Sequence, residues 1–125
     1  MKLGDIEVPD KVIDAIRKLI ECLEKRGFHI EHVYLFGSYA RGDWLKTSDV
    51  DIIMVSKDFK DIPFTKRLDI INEVLFKEGI EPYIEALPYT MEELVEKMKK
   101  SIVIASASKY WINLDNIVLN RENNK

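Results

Sequence analysis

The chain has 125 residues, 46% hydrophobic and 33% charged, with 19 Lys and Arg against 22 Asp and Glu and a formal net charge of −3. This predicts one globular domain over residues 1–125 with a real core, and argues against a surface built for long nucleic acid, which would show a basic face. The lone Cys22 excludes an intramolecular disulfide and a cysteine zinc site; no apolar run approaches the ~20 residues of a membrane span, and the polar N-terminus does not read as a signal peptide, so the expected location is the cytoplasm.

The stretch "PDKVIDAIRKLIECLEKRG" reads as a helix. Val12, Ile13, Ile16, Leu19, Ile20 and Leu23 recur at helical spacing on one face. Asp10 is placed to cap its start and Gly27 to end it. "HVYLF" (32–36) is β-branched and aromatic, as strands are. "SYARGD" suits one short helical turn, and "DVDIIMV" (49–55) is a second strand. "FTKRLDIINEVLFKEG" is an amphipathic helix with Phe64, Leu68, Ile71, Val74 and Leu75 on one side. "IEPYIEAL" (80–87) is a third strand, and its Pro82 suits an edge position or a strand start. Thr90 and Glu93 form a capping box ahead of a third long helix, expected to run to about Ser108. The tail predicts a short strand around 117–119 and a frayed end over 121–125. The order α-β-β-α-β-α-(β) predicts an α/β (α+β) fold: a small mixed sheet of three to four strands with helices packed on it, its core over about residues 10–119.

The chemistry concentrates in "LFGSYARGDWLKTSDVDIIMVS" (35–56). Residues two apart on a strand share a face, so Asp49 and Asp51 point one way while Val50, Ile52 and Met54 point into the core. Two adjacent carboxylates repel unless a cation sits between them. A hard divalent ion such as Mg²⁺ suits that place, since it takes carboxylate oxygens and keeps water and phosphate ligands. Two such ions, roughly 3.5–4 Å apart, clamp an in-line phosphoryl displacement. A two-ion site wants a third acid from a neighbouring strand. Glu85, set inside the apolar stretch "YIEAL", reaches the same ions if its strand lies beside 49–55; Glu81, next to the turn, is its rival. Gly37 allows backbone to approach a phosphate, Ser38 adds a hydroxyl, and Arg41 adds a charge-assisted contact.

This ordered set resembles the nucleotidyltransferase superfamily that includes DNA polymerase β, and more narrowly the minimal nucleotidyltransferases of bacteria and archaea. The shared pattern is Gly-Ser, ten residues, Asp-x-Asp, present here as Gly37-Ser38 and Asp49-Val50-Asp51. The resemblance implies that Gly37 and Ser38 bind a nucleoside triphosphate and that Asp49 and Asp51 hold metals. It also implies that Glu85 helps bind the catalytic metal and activates the attacking hydroxyl. The family commonly has aspartate at the third position. Glutamate shifts that carboxylate by more than about 1 Å, a displacement that costs on the order of 100-fold in rate where nothing compensates.

The implied reaction transfers AMP from ATP to an acceptor hydroxyl. The resemblance further implies a HEPN-type toxin partner, neutralised by binding or by transfer of AMP. The alternatives are adenylylation of a small molecule such as an antibiotic, and a catalytically silent nucleotide- or partner-binding module. A homodimer is a further assembly that an open cleft allows. His29 and His32, Tyr39 and Trp44, Lys46, Ser48 and Arg67 are expected at the surface or in loop packing, with Arg67 in a surface ion pair.

Overall fold

The computed structural model describes residues 1–119. The chain opens with a hairpin of two-residue strands, β1 (Lys2–Leu3) and β2 (Ile6–Glu7), joined through Gly4. Nothing in the hydrophobic pattern marks it, since two residues carry no periodicity. α1 (Asp10–Lys25) follows. Pro9, not Asp10, is its N-cap and makes no side-chain cap; Asp10 sits in the first turn, where its charge suits the helix dipole. Val12, Ile13, Ile16, Leu19, Ile20 and Leu23 are all buried, as the spacing predicts.

β3 (His32–Phe36) and β4 (Val50–Val55) stand where expected and pair antiparallel. Between them lies α2 (Ser38–Arg41), a single helical turn. A 3-10 turn at Lys57–Phe59, capped by the Ser56 hydroxyl, leads into α3 (Phe64–Lys77). β5 (Ile84–Tyr89) begins later than the predicted 80–87, because Ile80–Tyr83 form a turn with a cis Glu81–Pro82 bond. Then come α4 (Met91–Lys100), α5 (Ile102–Ala107), β6 (Ile112–Asn113) and α6 (Asp115–Val118).

The helix expected to reach Ser108 is therefore two. Ser101 adopts extended backbone (φ −101, ψ 121) and its hydroxyl accepts from the Ile104 N–H at 3.2 Å, so it ends α4 and caps α5. The capping box is present: Thr90 Oγ1 accepts from Glu93 N–H and Glu93 Oε1 accepts from Thr90 N–H. The strand expected around 117–119 is replaced by α6, and the final strand lies earlier, at Ile112–Asn113. The frayed end expected over 121–125 lies outside the described residues.

The main sheet has the order β5-β4-β3-β6, with β4–β5 parallel and the other pairs antiparallel. β5 is thus an edge strand, which explains how it tolerates Pro88. One face carries Val33, Leu35, Val50, Ile52 and Met54 against α1, α3 and α6. The other carries Ile53, Val55 and Tyr89 against Leu94 and Ile104 of α4 and α5. Both faces of β4 are buried after Asp51, hence its unbroken apolar run.

Arg67 is not at the surface: it is 5% exposed. Its Nη1 and Nη2 donate to Glu93 at 2.6 and 3.0 Å, Nη1 also to Pro88 O, and Nε to Ile62 O. It is a buried clamp joining α3, β5 and α4. Tyr39 stacks on Trp44 at 5.2 Å, so this pair packs the loop after α2. His32 Nδ1 lies 2.7 Å from Asp115 Oδ2, away from the cleft described below. Among the described residues, no helix is long and apolar enough to cross a membrane.

Candidate active site

The strand ends on the α4–α5 face of the sheet form an open cleft of about 660 Å³. Gly37, Ser38, Arg41, Asp49, Asp51 and Glu85 all line it, and the opposite wall is made by Ile102, Val103, Ser106 and Tyr110. The structure thus brings the six singled-out residues together. Three elements do the positioning: the β3–α2 turn, the mouth of β4 and the start of β5.

Strand register does most of this work. In the parallel β4–β5 pair, Asp51 stands directly beside Glu85. Side-by-side partners share a face, so these two carboxylates adjoin. The rival acid Glu81 lies in the turn before β5, outside the cleft lining. On the other side, Asp51 is the antiparallel partner of Phe36, the residue before Gly37.

Gly37 has φ +75 and ψ −156, a conformation open essentially only to glycine. A Cβ built there would collide with Asp51 Oδ2 and lie 3.0 and 3.1 Å from Asp51 Cγ and Cβ. The space a side chain would occupy is filled by the Asp51 carboxyl. The Gly37 N–H does not point free into the cleft. It donates to the Tyr110 hydroxyl at 3.1 Å, and Arg41 Nη1 donates to the same oxygen at 3.1 Å. Arg41 Nε is held by Asp43 Oδ2 at 3.2 Å.

The electrostatics follow from this crowding. The Asp51 carboxyl is pushed up from 3.8 to about 6 by burial first, then by the charge of Glu85, a hydrogen bond shared with Glu85, and the charge of Asp49; Arg41 opposes this weakly. A half-buried acid among like charges holds its proton or demands a cation. All three carboxylates are hard oxygen donors without sulfur or imidazole in the lining, which fits Mg²⁺ or a similar divalent ion. Among the described residues they are not drawn into a ready ligand cluster. Asp49 is exposed at the strand mouth while Asp51 leans on Glu85. Mg²⁺ tolerates this, because it usually keeps several waters and takes substrate phosphates as ligands.

Tyr110 was missed in the sequence. It lies 73 residues from Gly37, and no motif or spacing ties the two. The end of α5 and the β3–β6 pairing, which returns the chain beside β3, together bring it to the cleft.

Comparison with known proteins agrees with the fold and the family. Two putative protein adenylyltransferases of Methanocaldococcus jannaschii are each 38% identical to the chain, over 68 and 79 residues. Those matches cover 53% and 61% of this chain, and span only 63% and 52% of the relatives' own lengths. A solved structure of a putative nucleotidyltransferase from Sulfolobus solfataricus superposes with a TM-score of 0.51 at 24% identity. That superposition covers 76% of this chain and 85% of the other, and the likeness is one of fold. The nucleotidyltransferase domain family matches residues 16–110, from within α1 to Tyr110, so the chain belongs to that family.

Proposed function

We propose that the chain transfers AMP from ATP to a hydroxyl group on a protein acceptor. The observation that carries this reading is the register of β4 and β5, which sets Asp51 beside Glu85 and against the Gly37–Arg41 turn. The triphosphate lies along that turn, with Ser38 and Arg41 as donors to its phosphate oxygens. Asp49, Asp51 and Glu85 are the residues that would hold divalent cations, two Mg²⁺ ions in our reading. Such ions supply charge neutralisation at the attacking and leaving oxygens.

The acceptor oxygen attacks the α-phosphorus, forming an O–P bond as the bond to the bridging oxygen of the β-phosphate breaks. The acceptor proton passes to the Glu85 carboxylate, and pyrophosphate leaves with the bonding electrons. Glu85 is exposed at the cleft, where an acceptor hydroxyl can reach its carboxylate. The Glu85 side chain starts from the strand position directly beside Asp51.

We further propose a HEPN-type protein as the acceptor. Support comes from the likeness to minimal nucleotidyltransferases and from the description of two relatives as putative protein adenylyltransferases. The test incubates the chain with α-labelled ATP, Mg²⁺ and a HEPN-type protein encoded beside it. Label on that protein is the expected result. Label on a small molecule instead overturns the protein acceptor. Binding of the protein with no label in any product overturns transfer altogether.

A further inference from the structure

We propose that the Tyr110 hydroxyl is a hydrogen-bond donor to the substrate triphosphate, a role outside the Gly-Ser and Asp-x-Asp pattern. The proposal rests on the reading of this cleft as a nucleotide site.

The argument is one of hydrogen-bond inventory. A phenol oxygen has two acceptor positions and one proton to give. Both acceptor positions of Tyr110 are taken, by the Gly37 N–H and by Arg41 Nη1, each at 3.1 Å. Among the described residues no acceptor takes the remaining proton, and the residue lines the cleft. The proton is therefore left to face the space where phosphate oxygens would lie. A hydroxyl that accepts from a guanidinium is a polarised and hence stronger donor, and a phosphate oxygen is a charged acceptor.

The hydroxyl is also held in place before any ligand arrives. The backbone N–H of Tyr110 donates to Ala107 O at 3.0 Å, tying the residue to the end of α5. Arg41 Cζ sits 5.7 Å from its ring centroid. The next residue, Trp111, stacks on Tyr34 at 4.3 Å. The residue after that, Ile112, pairs with Leu35 on β3. A donor fixed on both sides loses little freedom on binding, which is the condition for a useful contact.

The geometry has a rival meaning. The phenol oxygen sits where a phosphate oxygen would otherwise receive the Gly37 and Arg41 donors, so it could act as a plug that nucleotide must displace. The two meanings predict opposite signs. Calorimetric titration of wild type and Tyr110→Phe with ATP, AMP and inorganic tripolyphosphate separates them. A charge-assisted donor predicts ATP and tripolyphosphate binding weaker by about 10- to 100-fold in the variant, with AMP changed less. Unchanged or tighter binding of both polyphosphate ligands overturns the proposal. A wild type that binds neither ATP nor tripolyphosphate overturns the nucleotide site itself, and the proposal with it.

A second measurement guards against misfolding of the Phe variant and against a merely structural role. Replacing Tyr110 by 3-fluorotyrosine keeps ring and hydroxyl but strengthens the donor. Tighter tripolyphosphate binding is expected, and no change or weaker binding counts against a donating hydroxyl.

Discussion

Asp51→Asn removes the most crowded charge in the cleft while keeping the side chain's shape. The Asp51 carboxyl stands at about 6 in the folded chain against an ordinary 3.8. The native state therefore holds this proton more tightly than the unfolded state does. Below the ordinary value the group is protonated in both states, and its contribution to stability is fully present. As pH rises through 6 that contribution is lost. A rise from 3.8 to about 6 corresponds to about 3 kcal/mol. The side chain is only partly buried and solvent screens the repulsion, so a net gain on the order of 1 kcal/mol is the working figure for removing the charge. For a chain of this size that is roughly 3–5 °C in Tm. Thermal melting of wild type and Asp51→Asn in a metal chelator, at pH values from about 4 to about 8, reads it directly. The variant should melt higher near pH 8, lose its advantage between about pH 6 and 4, and match wild type below that. With Mg²⁺ present the wild type should recover much of the difference, while the variant loses transfer activity. An Asp51→Asn chain that melts no higher than wild type near pH 8 would refute the reasoning, as would a gain that persists in acid.

Gly37→Ala places a methyl group against the Asp51 carboxyl in a glycine-only conformation. It should cost about 2–4 kcal/mol in urea denaturation. Adding Asp51→Gly should return part of that loss, and strict additivity of the two changes would deny the contact. Glu85→Gln should lower the transfer rate on the order of 100-fold or more; a rate unchanged from wild type removes Glu85 as proton acceptor. Arg67→Ala unties the Pro88 and Ile62 carbonyls and takes the guanidinium from Glu93, which stays solvated and held by the Thr90 N–H, and should cost about 1–3 kcal/mol by chemical denaturation. Arg67 holds the Glu93 carboxyl below its ordinary value. The pair's stabilisation is therefore present above the ordinary glutamate range and fades as pH falls through the lowered value. Melting curves of wild type and variant should draw closer in acid without meeting, because the bonds to the Ile62 and Pro88 carbonyls do not titrate.

The legible parts of this chain are those where chemistry and periodicity coincide locally. β3 and β4 announce themselves through β-branched and aromatic runs, and the acids at the mouth of β4 break its apolar pattern. Thr90 and Glu93 announce a helix start through their own hydrogen bonds. The placement of Glu85 could be posed as a question in the sequence, but its answer lies in strand order, which no local pattern encodes. Ser101 hides a helix break because Ile102, Val103 and Ile104 look like a continued apolar face; only a backbone turn and a reused hydroxyl distinguish them. Arg67 was read as a surface charge because a single residue does not reveal that it has four backbone and carboxylate partners waiting inside. Tyr110 depends on a contact spanning 73 residues and leaves no local trace.

The Arg67 clamp has a consequence for how this cleft tolerates change. Asp51 and Glu85 meet because of a strand alignment, and sliding an edge strand by one residue would turn Glu85 to the opposite side of the sheet. An edge strand has a neighbour on one side only, so half of the usual resistance to sliding is missing. Arg67 grips the Pro88 carbonyl three residues past Glu85 and anchors that grip to two helices. It works as a ratchet pawl. Loops on either side of β5 can lengthen or shorten over generations without moving the acid, provided that one tooth stays engaged.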